Sequence, residues 1–126
     1  METDERLRCD LEERLLEYAA RIVRLTDALP RTRAGGHVAD QLLRSGTSPL
    51  SNHGEAQAAE SADDFIHKLS VGLKELKESR RWLRLIARAQ LVKEATRIAP
   101  LLAETEELIR IFAASIRTAR SRKARR

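Results

Sequence analysis

One cysteine, three prolines, five glycines and four aromatic rings are all that this 126-residue sequence holds of those residue types, and each shortage excludes something. Cys9 has no partner within the chain, so no disulfide framework holds the fold, and a reducing, cytoplasmic setting is the simplest home. Cys9 itself reads as inert. The longest uninterrupted apolar run, "IAPLLA" (98–103), falls far short of the roughly 18 residues that a membrane span needs. The opening "METDERLRCD" is charged throughout and offers no apolar segment of the kind a secretory leader carries. With aromatics at 3%, base stacking has little to work with, so any nucleic-acid binding is expected to tolerate sequence and respond to salt.

Abundant instead are Leu, Ala, Arg and Glu, with 34% of the chain charged, a composition of long helices and not of sheets. The formal charge is +5, but residues 117–126, "RTARSRKARR", hold six cations and no acid, which leaves −1 for the other 116 residues. The sequence divides into an N-terminal tail (1–10), a body (11–116) and a basic C-terminal tail (117–126), the last expected to be disordered and phosphate-seeking.

The body reads as four amphipathic helices. Leu11, Leu15, Tyr18, Ile22, Leu25 and Leu29 recur at spacings of four and three, one face of a helix that Pro30 stops. Beside that face runs a second stripe, Leu16, Ala19, Val23 and Thr26, making the apolar surface wider than one neighbour covers. Thr32 caps the next helix, where Val38, Ala39, Leu42 and Leu43 face inward. The stretch "RSGTSPLSNHGEAQAAE" (44–60) looks like a loop, but about 17 residues is far longer than the two to eight usual between bundle helices. A continued helix is the better reading, either bent near Ser45 and Gly46 by Pro49 or made of two nearly collinear halves with Pro49 opening the second.

Ser61 followed by Asp63 and Asp64 starts a third helix with a seam through Leu69, Leu76, Leu83 and Ile86. After a turn near residue 90, a fourth carries Ala95, Ile98, Leu102, Thr105, Ile109, Phe112 and Ile116. Short links imply an all-α, antiparallel up-down four-helix bundle. Leu101, Leu108 and Ile111 form a line outside the fourth helix's seam. Together with Trp82 and Leu85 they are candidates for an oligomer interface, the alternative being an ordinary, generous core.

Candidate chemistry is sparse. Arg44, Ser45, Ser48, Asn52 and Glu55 share a polar helical face and, with Glu75 opposite, read as a structural hydrogen-bond network. Bundle metal sites take paired Glu-x-x-His motifs, whereas Asp64-x-x-His67 is the nearest match and stands alone, so no metal and no cofactor is expected. No glycine-rich phosphate loop or nucleophile elbow is present, which argues against an enzyme. The cations Arg80, Arg81, Arg84 and Arg88, with Arg117, Arg120, Arg122, Lys123, Arg125 and Arg126 of the tail, are the candidate nucleic-acid contacts. Many body cations are interleaved with acids and read equally as a solvated face.

The segments "LLRSGTS" (42–48), Asn52 and Glu55 in "SNHGEAQAAES", "DFIHKL" (64–69), "LKELKESRRWLRL" (73–85) and the following "AQLV" resemble a four-helix-bundle family. It comprises intervening-sequence proteins encoded within large-subunit ribosomal RNA genes and is related to the accessory variability determinant of diversity-generating retroelements. His53 and Gly54 stand where that family often has an aromatic or apolar residue and Ala. The resemblance implies a homopentameric barrel without catalytic activity, binding RNA or DNA through basic surface, or else an accessory scaffold docking a partner such as a reverse-transcriptase-like protein. Five tails around one ring would multiply avidity.

Overall fold

The computed structural model describes the backbone of residues 2–125 and the side chains of 10–94 and 96–125. The side chains of Cys9 and Ala95 and the whole of Arg126 lie outside that description. Four helices follow in order, α1 (Glu2–Ala28), α2 (Arg33–Gln57), α3 (Ala62–Arg88) and α4 (Ile98–Ala124), with a single 3-10 turn at Ala95–Arg97 and, among the described residues, no strand.

Their boundaries follow from local chemistry. Thr32 accepts the Gly35 amide at 3.0 Å and Ser61 the Asp64 amide at 3.0 Å, each satisfying a donor that has no partner within its helix. Asp63 and Asp64 then lie in the positive first turn of α3. α2 runs unbroken through Pro49, as the loop-length argument requires. One turn before the proline, the Thr47 and Ser48 hydroxyls donate to the Leu43 and Arg44 carbonyls, each at 2.6 Å, a local bonding pattern that accompanies bent helices.

Leu15, Tyr18, Ile22, Leu42, Leu76, Leu83, Ile86, Leu108 and Phe112 form the centre of one core, each at most 1% exposed. Two glycines set helix separation: a Cβ on Gly46 would stand 2.7 Å from an Ile22 methyl, and one on Gly72 would stand 2.6 Å from the Phe112 ring. At those two crossings only a bare backbone fits.

Through this core runs a layer of one hydroxyl per helix. Tyr18 and Thr105 are 2.7 Å apart, and because Thr105 donates to the Leu101 carbonyl at 2.8 Å, Tyr18 is the donor between them. Ser79 donates to Ser45 at 2.9 Å. All four hydroxyls are buried, and a layer so satisfied fixes the relative positions of the helices. Burial pushes the Tyr18 phenol up to about 12, opposed by the Thr105 and Ser79 hydroxyls.

Three expectations are corrected. Leu101 and Leu108 are 3% and 0% exposed within this one chain, so they are core and not an interface line, because α4 turns a wider face inward than a strict heptad assumes. Leu43, expected inward, is 40% exposed. Residues 117–124 continue α4 as regular helix instead of forming a disordered tail. Buried Ile116 and half-buried Ala119 keep the helix seated, and the cations Arg122 and Lys123 in its last turn complement the negative end of the dipole.

Candidate nucleic-acid interface

The polar face predicted on α2 divides in the structure. Arg44 bonds Glu75 at 2.7 Å and also pairs with Glu78, while Ser45 joins the buried hydroxyl layer. Ser48 bonds only its own helix backbone, and Glu55 is exposed. Asn52 is half-buried, and its Oδ1 is the one buried side-chain polar atom among the described residues with no partner. The six residues therefore do not form one network. Tyr18, Ser79 and Thr105, which complete the buried polar contacts, escaped the sequence reading because each sits on an apolar stripe of its own helix, and Glu78 read as an ordinary surface partner of Lys74 and Arg81.

Arg44 has a consequence for charge. In the segment 65–93 the only acids are Glu75 and Glu78, and both are turned toward α2, half-buried and held by Arg44. Glu78 also accepts the Trp82 indole N–H at 2.9 Å. Along α3, Lys74, Lys77, Arg81, Arg84 and Arg88 recur at spacings of three and four, all exposed, and none has an ion-pair partner among the described residues. The two acids are thus taken by Arg44 of α2, and the five cations keep no acid partner among the described residues. Arg80 stands apart from that stripe, bound to Glu106 of α4 at 3.1 Å.

Arg81, Arg84 and Arg88, with Leu85, Ala87 and Leu102, line an open cleft of about 570 Å³. The terminal cations lie elsewhere. Lys123 pairs with Asp63 at the start of α3, while Arg122 reaches a separate cleft of about 650 Å³ shared with Arg14, His53, Phe65 and Ile111. Leu102 and Arg120 are 18 positions apart on α4, or about 27 Å at 1.5 Å per residue, so the two sets of predicted contacts do not make one surface. Arg117, Arg120 and Arg125 are exposed in the last turns of α4.

Near the α4 end cleft, Arg14 grips Glu104 with two bonds of 2.8 and 3.1 Å, and that hydrogen bonding raises the already high Arg14 value further. His53, only 2% exposed, sits 3.1 Å from Glu12 through Nδ1, so the buried ring has a polar partner. Trp82 is half-buried, edge-on to His37 at 5.9 Å, and its N–H is satisfied inside the chain, which weakens its claim as a free interface anchor. Leu16, Val23, Leu43 and Leu85 are the large apolar side chains left 40–50% exposed. Among the described residues no group of three or more His, Cys, Asp or Glu could hold a metal, and no helix is long and apolar enough to cross a membrane.

The class defined by these features is an all-α, four-helix protein with bundle-like packing and one cationic face. Within that class the chain belongs to the 23S rRNA-intervening sequence protein family, whose profile matches residues 10–114. It is also similar to a solved structure from Bacteroides thetaiotaomicron, described as a protein of unknown function from the S23 ribosomal protein family. The two share 32% identity with a TM-score of 0.80, over 87% of this chain and 97% of that one. No curated protein matches significantly.

Proposed function

We propose that the protein is a non-catalytic, cytoplasmic, oligomeric four-helix bundle that binds nucleic acid through basic surface. The observation that carries this reading is the exposed set Arg81, Arg84 and Arg88, without an acid partner among the described residues, around one open cleft. Unpaired cations at that density attract phosphate, and the released counterions supply affinity. Membership of a family named for an rRNA intervening sequence is consistent with an RNA or DNA ligand, although the name describes where such proteins are encoded. Salt-titrated binding of the full chain to RNA and DNA tests the reading. Affinity falling steeply with salt supports it, and no binding at low salt removes it.

The bundle is proposed to be antiparallel. In the contacts Glu12–His53 and Ile22–Gly46 between α1 and α2, and Asp63–Lys123 and Arg80–Glu106 between α3 and α4, the residue number falls in the second helix as it rises in the first, and late Asn52 of α2 meets the first half of α3 at Gly72. Self-association, with a homopentamer as the expected state, is assigned to the α1–α2 side. Leu16 and Val23 on α1 and Leu43 on α2 remain exposed there, while one further large apolar side chain of similar exposure, Leu85, lies on α3 among the described residues. A second reading, an accessory scaffold for a partner protein, draws on the same side. It predicts that changes at Leu16, Val23 and Leu43 abolish capture of that partner without changing the subunit count.

A further inference from the structure

We infer that the outer face of α3 is a rail for the phosphate backbone of double-stranded nucleic acid, an assignment that rests on the nucleic-acid reading above and adds both the site and the form of the ligand. Lys74 to Arg88 spans 14 residues, about 21 Å along a helix. Five cations project from that length at spacings of three and four, so successive charges stand about 5–6 Å apart on one face. Along 21 Å of duplex, one strand presents about six phosphates at 3.4 Å each. Those phosphates wind around the axis while the rail is straight, so the rail meets the ones on the facing side, drawn from two strands that together present one charge per about 1.7 Å.

Rigidity and the absence of stacking groups favour a duplex over a single strand. Proteins that hold single strands combine cations with aromatic platforms for the bases. No ring stands on the rail face: Tyr18 and Phe112 are buried, Phe65 is half-buried in the separate cleft near Arg122, and Trp82 is half-buried and tied to Glu78 and His37. The rail is also pinned. Ser79 and Leu83 bury the inner face of the same helix, and Arg44 engages Glu75 and Glu78 as ion-pair partners. A straight row of charges that cannot follow a flexible strand suits a regular backbone, read by shape and phosphate and not by base edges. The last turns of α4 are not part of the rail: they lie by Asp63, at the other end of α3.

The test compares three full-length proteins: the parent, a rail variant (Lys74→Gln, Lys77→Gln, Arg81→Gln, Arg84→Gln, Arg88→Gln) and a tail variant (Arg117→Gln, Arg120→Gln, Arg122→Gln, Lys123→Gln, Arg125→Gln) that loses the same charge. Each is titrated with a short mixed-sequence RNA duplex, the DNA duplex of that sequence and an oligouridine strand, with helicity and native mass confirming fold and assembly. The parent should prefer both duplexes to oligouridine. The rail variant should bind duplex at least about tenfold more weakly, with a log–log salt slope smaller by about 4.5, at roughly 0.9 per phosphate. The tail variant should keep most of the parent slope. A rail variant with the parent's affinity and slope, or a parent that prefers oligouridine, overturns the rail while leaving nucleic-acid binding in place. A parent that binds none of the three removes the proposed function and the rail with it.

Discussion

Tyr18 is the residue whose chemistry depends most on burial. It is the only tyrosine in the chain, so its absorbance reports on one site. Its folded value of about 12 lies above the ordinary tyrosine value of 10.0, so between those limits the folded state holds a proton that the unfolded state has lost. The stability this represents, on the order of 3 kcal/mol, is fully present below pH 10 and is lost as pH rises through about 12. Alkaline titration should show no tyrosinate near pH 10.5 while the protein is folded, then a joint rise of tyrosinate and loss of helicity. Ionisation at the ordinary value in a still-folded protein would contradict this. Asn52 is the opposite case, a buried amide oxygen without a partner. Leucine has nearly the same shape and removes the unsatisfied acceptor, so Asn52→Leu should raise stability by about 1 kcal/mol in denaturant unfolding; a loss of that size would mean that the amide has a partner in the assembled protein.

At the scale of elements, the links and ends decide. α3 closes on Gln90, whose φ of 56° lies in the left-handed region, while the Leu91 amide bonds the Ile86 carbonyl at 3.1 Å. This is the position that glycine usually fills after a helix. Gln90→Gly relieves a cost of roughly 1 kcal/mol and should raise the melting temperature by several degrees, less whatever glycine adds to the entropy of the unfolded chain. An unchanged or lower melting temperature would show that entropy to be the larger effect. Both capped starts, Thr32 and Ser61, and the unbroken α2 were legible, because capping and loop length are local properties. The extent of α4 was not. Its last turns are read as a tail when only charge is counted, and as helix once Ile116 is buried and Ala119 has a surface to lie against.

For the whole molecule, the question is what covers Leu16, Val23 and Leu43. If the α1–α2 side meets another copy, the combined substitution Leu16→Glu, Val23→Glu, Leu43→Glu places like charges in the contact. The native mass should then fall to that of one subunit with helicity retained. A parent that is already a monomer at micromolar concentration, or a triple variant with the parent's mass, would refute the assignment. Whichever side assembles, the rail stays exposed only if it faces away from that contact. It lies on α3, whereas Leu16, Val23 and Leu43 lie on α1 and α2; Leu85, also exposed, stands within the rail's own cleft.

Periodicity, capping and loop length by themselves determined four helices, their order and most of the core, because each depends on residues a few positions apart. What the tertiary structure decided was which partners the polar and charged groups take. Glu75 and Glu78 look interleaved with the α3 cations until Arg44, some thirty positions earlier, takes both as partners. Leu101 and Leu108 look surplus until the chain closes over them. Such outcomes depend on which faces meet, and a contact between distant segments leaves no local mark in the chain.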